Sequence, residues 1–83
     1  MTKTFYLVLT GEVREVNPCS RTYHKDLEKQ GARDDNSSEW IIAFADDEKE
    51  ALSIADLYDV GKIEMDNVWC QTCGKAHIAA ELK

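Results

Sequence analysis

Apolar residues recur with a strand-like rhythm at both ends of the chain and with a helical rhythm between them. Phe5-Tyr6-Leu7-Val8-Leu9-Thr10 is β-rich and opens the fold. The pattern runs on through Gly11 into the alternating Glu12-Val13-Arg14-Glu15-Val16. Gly11 reads as a bulge or bend within this first strand, and Asn17-Pro18 ends it because proline cannot donate to a ladder. Trp40-Ile41-Ile42-Ala43-Phe44-Ala45 is apolar on both faces, the mark of a central strand. Trp40, Ile42 and Phe44 share one face; Ile41, Ala43 and Ala45 share the other.

A helix follows. Asp47 is a good N-cap, and Glu50 three residues on completes a capping box. Ala51, Ile54, Ala55 and Tyr58 keep the i, i+3, i+4, i+7 spacing, Leu52 widens the stripe, and Gly61 is placed to end the helix. Lys62-Ile63-Glu64-Met65 and Val68-Trp69-Cys70 predict a further strand, broken near Asp66-Asn67. After the turn Gln71-Thr72-Cys73-Gly74, residues 76–82 return as its hairpin partner, with Ala76, Ile78, Ala80 and Leu82 on one face. Residues 18–38 have the weakest pattern: 25–33 fit either a short helical turn or an edge strand, and 34–38 read as a turn. The expected fold is α+β, a β-β-α-β-β order. It is a mainly antiparallel sheet with one helix packed on one face, ending in a hairpin.

Length and charge narrow the function. The 83 residues make one domain, 1–83, and a domain of this size buries only roughly 60–65% of its unfolded surface. Any additional staple would matter to its stability. Net charge is −6, from 16 acidic and 10 basic side chains. Nucleic-acid and anionic-membrane binding both rely on Lys and Arg, so direct binding to either is not expected. A protein partner with a basic surface is. No apolar stretch is long enough to span a bilayer, and Met1-Thr2-Lys3-Thr4 leads directly into a strand-like run without a signal-peptide core. Three cysteines, an odd number, suit a reducing compartment. The expected location is cytoplasmic.

The sharpest chemical motif is Cys70-Gln71-Thr72-Cys73-Gly74. Two thiolates separated by two residues at a turn can reach one ion, and the following glycine permits the φ > 0 geometry that aims backbone N–H groups at sulfur. Around residues 68–78 this resembles one knuckle of a zinc ribbon; the second Cys-x-x-Cys of a full ribbon is absent. Cys19 and His24 can supply the remaining ligands, making a Cys19, His24, Cys70, Cys73 tetrahedron for a structural Zn²⁺. His77 is the alternative fourth ligand, although its strand position predicts a sideways orientation. A thioredoxin-like redox motif would open a helix in a βαβ unit instead of turning a hairpin.

Enzyme signatures are otherwise absent: no glycine-rich phosphate loop, no nucleophile elbow, no His-Glu-x-x-His helix. Cys19 and His24 as nucleophile and base lack an orienting third group. The expectation is a non-enzymatic binding protein, with Asp34, Asp35, Glu39, Asp56, Asp59 and Trp69 as candidate partner-binding residues. In length, acidity, lack of catalytic motifs and the strand–helix–hairpin run from Trp40 to Leu82, the chain resembles small phage and mobile-element proteins of the anti-CRISPR and host-takeover type. That resemblance implies a stoichiometric inhibitor in the host bacterial cytoplasm. It would occlude the basic surface of a nucleic-acid-handling complex. The alternative is a zinc-knuckle adaptor or regulator.

Overall fold

A computed structural model of the chain describes residues 3–32 and 40–82. The turn expected over 34–38 and the candidate residues Asp34, Asp35 and Glu39 lie outside the described residues. The elements are β1 (Thr4–Leu9), β2 (Glu12–Glu15), α1 (Tyr23–Lys29), β3 (Trp40–Ala45), α2 (Glu48–Asp59), β4 (Asp66–Cys70) and β5 (Lys75–Glu81). The five strands form one mixed sheet in the order β2-β1-β3-β5-β4. The α+β class is as expected; three of the four strand pairings are antiparallel, but the β3–β5 pairing is parallel, so the sheet is mixed, and the described residues hold two helices where one was expected.

Three differences from the expected order have physical causes, two of them local. The single bent first strand is a hairpin: Leu9 pairs with Glu12, and Gly11 takes φ +82° in the two-residue connection. That left-handed conformation is open to glycine at little steric cost, so the chain reverses there instead of bending. Residues 23–29 resolve as helix, closed by Gly31 at φ +94°, with Ala32 N–H donating to Leu27 O and Gly31 N–H to Glu28 O. This is a Schellman cap, and its αL glycine is the residue type the motif prefers. Finally, β5 runs parallel to β3, pairing Ala43 with Ala80 and Phe44 with Glu81. The chain leaves β3, crosses on α2, lays β4 at the outer edge, and turns β5 inward between the two. Because β4 enters antiparallel to the direction of β3, its hairpin partner β5 runs parallel to β3. Residues 62–65 lie outside β4, which begins at Asp66.

The alternation within β3 divides the core as predicted. Ile42 joins Phe5, Leu7, Val16, Leu27, Val68, Cys70 and Ala79 on the α1 side. Ile41, Ala43 and Ala45 join Tyr6, Val8, Ala51, Ile54, Ala55 and Ala80 on the α2 side. Both faces of the sheet are therefore covered, which is why β1 and β3 have no polar face. The Asp47 cap forms as read, with Glu50 N–H donating to Asp47 Oδ1 at 2.8 Å, but the Glu50 carboxylate reaches one residue further back than a capping box, accepting from Asp46 N–H at 2.7 Å. Leu52 does not extend the buried stripe; it is 46% exposed.

The β4–β5 hairpin is held to β3 by only those two register pairs, yet its other end reaches far across the α1-side face. His77 lies four residues before Glu81, about 13 Å along a flat strand. Its ring nevertheless meets Phe5, the partner of Phe44, edge-on at 5.5 Å between centroids. The hairpin curls over this face. Among the described residues no helix is long and apolar enough to cross a membrane.

Asp47→Ala should cost about 1 kcal/mol by removing the cap acceptor, whereas Leu52→Ala, at an exposed position, should change stability by less than ~0.5 kcal/mol. Urea unfolding of the two variants checks this contrast.

Candidate metal centre

The curl of the hairpin brings the chain's three thiols and one imidazole to one place. Cys19 follows β2 in a short turn fixed by the Asn17 side chain: Cys19 N–H donates to Asn17 Oδ1 at 3.1 Å, and Ser20 N–H to Asn17 O at 3.2 Å. Such an Asx turn is what Asn before proline favours. Cys70 is the last residue of β4 and is 5% exposed. Cys73 sits in the β4–β5 turn, closed by Gly74 N–H donating to Cys70 O at 2.9 Å, with Gly74 at φ +68°. The backbone N–H groups of Thr72 and Cys73 favour the Cys70 thiolate, the effect expected from the Cys-x-x-Cys-Gly spacing.

His77 completes the group. Cys73 Sγ is 3.0 Å and Cys19 Sγ 3.8 Å from His77 Nε2, Cys19 Sγ is 3.2 Å from Cys70 Sγ, and all four ligand atoms lie within 4.8 Å of one another. A tetrahedral ion with metal–sulfur bonds of ~2.3 Å and a metal–nitrogen bond of ~2.0–2.1 Å has ligand–ligand edges of about 3.6–3.8 Å. The observed separations bracket those edges, so the four residues can hold a metal ion with small adjustments.

His24, expected as the fourth ligand, is not in this group. Tyr23 and Leu27 of α1 pack on the core, and His24, next to Tyr23, is turned to solvent, its ring 5.8 Å from that of Tyr23. The expected sideways orientation of His77 is also corrected. His77 pairs with Val68, and cross-strand partners share a face. It therefore projects to the side that carries Val68 and Cys70. The signal lay in the hairpin register, which pairs His77 with Val68, two positions from Cys70 on the same face. Asp56 and Asp59 stand exposed on α2, and Trp69 is 62% exposed on β4; none belongs to the sulfur cluster.

The thiols share their protons unequally. Burial raises the Cys70 thiol, but the hydrogen bond from Cys19 and the two backbone N–H groups outweigh it and bring Cys70 down to about 7. Cys19, which keeps the shared proton and is also desolvated, is pushed up to about 12. One sulfur of the metal-free site is thus poised to ionise near neutral pH, as a metal ligand must. A cleft of about 570 Å³ opens beside the site, lined by Lys3, Phe5, Phe44, Trp69 and the two cysteines Cys19 and Cys70. Neither Cys73 nor His77 lines it.

No family model, no curated protein and no solved structure matches this chain, so its function has to be read from its own residues.

The metal-free protein should gain one thiolate as pH rises through about 7, seen in ultraviolet absorbance and lost in Cys70→Ser. Because the folded value of Cys70 lies below its ordinary 9.0, its contribution to stability should grow between pH 7 and 9. The Cys19 contribution, raised instead, should be lost between pH 9 and about 12. Urea midpoints of the metal-free protein across this range test both arms.

Proposed function

We propose that the chain is a small, non-enzymatic binding domain stapled by a structural Zn²⁺ held by Cys19, Cys70, Cys73 and His77. The observation that carries this reading is the mutual approach of the four ligand atoms to within 4.8 Å, drawn from a loop and a hairpin far apart in sequence. Three sulfurs and one imidazole nitrogen form a soft-to-borderline donor set that favours zinc over magnesium or calcium. All four positions are filled by protein, which is the pattern of a structural site.

A domain of 83 residues has a total stability of about 4–12 kcal/mol, at ~0.05–0.15 kcal/mol per residue. Structural zinc binding is worth about 10 kcal/mol or more and is coupled to folding. The ion would therefore decide whether the curled hairpin stays docked.

The partner is a macromolecule with a basic surface. A net charge of −6 supports electrostatic attraction to such a surface, and exposed Asp56, Asp59 and Trp69 supply acidic and aromatic contact groups. Occlusion of a nucleic-acid-handling complex in the phage-inhibitor manner, and adaptor binding by a zinc-knuckle domain, are the two forms this takes.

Protein purified from cells grown with zinc should carry one zinc per chain by elemental analysis. A chelator should unfold it, and Cys70→Ser should abolish zinc retention. Metal-free protein whose unfolding is indifferent to added zinc would refute the staple. Association with a basic partner, measured by capture at low and high salt, should weaken as salt rises.

A further inference from the structure

We infer that Cys19 and Cys70 are a redox modification site: a peroxide joins them as a disulfide, expelling the metal while keeping the loop fastened to the hairpin. The metal-release half of this inference rests on the zinc reading above; the modification site itself rests on geometry alone.

Two observations select this pair. First, the sulfurs are 3.2 Å apart, so a closure of about 1.2 Å reaches the ~2.05 Å of a disulfide bond. Second, the cleft beside the site is lined by Cys19 and Cys70 but by neither Cys73 nor His77. An oxidant entering from solvent on that side meets the half-buried Cys19, with the buried Cys70 sulfur 3.2 Å behind it.

The chemistry balances with the peroxide as the sole co-reactant. One sulfur attacks a peroxide oxygen, the O–O bond breaks, and a sulfenic acid and water form. The second sulfur displaces the sulfenic oxygen as a second water, closing the S–S bond. In the metal-free protein two thiols lose two electrons and two protons, and hydrogen peroxide gains both and becomes two waters; where the two sulfurs are metal-bound thiolates, they lose the same two electrons and solvent supplies the two protons. Only Cys73 and His77 would then remain to hold a bound metal, two ligands where a closed site needs four, so the ion would be released.

The disulfide does not simply undo the staple. Cys19 and Cys70 are separated by 51 positions, so their bond closes a long loop and restricts the unfolded chain strongly. A Cys70–Cys73 bond would close only the hairpin turn and leave the Cys19 loop unattached. Oxidation thus exchanges a coordinate link for a covalent one at the same junction, and releases the Cys73 thiol and the His77 imidazole from coordination.

The test uses the full chain loaded with zinc and titrated with hydrogen peroxide. A chromogenic chelator follows zinc release, and mass spectrometry locates the cross-link after alkylation of remaining thiols. The inference expects one zinc released per two hydrogens lost, a Cys19–Cys70 link with Cys73 alkylated, a retained far-ultraviolet spectrum, and reversal by dithiothreitol. A Cys70–Cys73 or Cys19–Cys73 link, a sulfinic acid, or thiols that survive the titration would overturn it. Protein that binds no zinc but still forms the Cys19–Cys70 link would keep the modification site and sink the zinc reading instead.

Discussion

The structure depends on one junction, where the loop after β2 meets the turn of the β4–β5 hairpin. Without it, the register pairs joining the β4–β5 hairpin to β3 would be Ala43–Ala80 and Phe44–Glu81, backed by Ala80 in the α2-side core. With it, Cys19 lies against Cys70 and the His77 ring closes edge-on over Phe5. Val68, Cys70 and Ala79 then enter the same apolar cluster as Leu7 and Leu27. The sulfur cluster and the α1-side core are parts of one arrangement: the packing brings the ligands together, and a bound ion would hold the packing in place.

The two faces of the sheet rest on different footings. On the α2 side, a twelve-residue helix with caps at both ends lays Ala51, Ile54 and Ala55 on β1 and β3. Small residues on helix and strands alike, with Ala43, Ala45 and Ala80 fully buried, allow close approach and dense packing. On the α1 side, the covering is a seven-residue helix contributing Leu27, plus Val16, Ala32 and the curled hairpin. That side has less apolar material from regular elements, and it is the side on which the four residues able to hold a metal ion sit. A metal link on this face would compensate for a thin cover.

What could be read beforehand was mostly local. The Asp47 cap, the split of β3 into two buried faces, and the tight turn around Cys70 and Cys73 each follow from residues within a few positions of one another. The ambiguities lay where two outcomes share one local pattern. Gly11 permits a bend or a reversal, and the choice depends on whether Val13 finds a partner across from Val8. The parallel pairing of β3 with β5 depends on where β4 is laid down, which no short motif encodes. His24 and His77 are each near a cysteine in sequence, and only the face of a paired strand separates them. Cys19 was a ligand candidate by residue type alone; its approach to Cys70 is a long-range result of the curl.

The positions of the four ligands also order events in time. Cys19 is synthesised before Cys70, Cys73 and His77, so a growing chain holds only one of the four candidate ligands until the hairpin emerges. Metal capture would then be a late step of biosynthesis, and nascent chains halted before the hairpin would present an unpaired thiol and an uncovered α1-side face to the quality-control machinery of the cell.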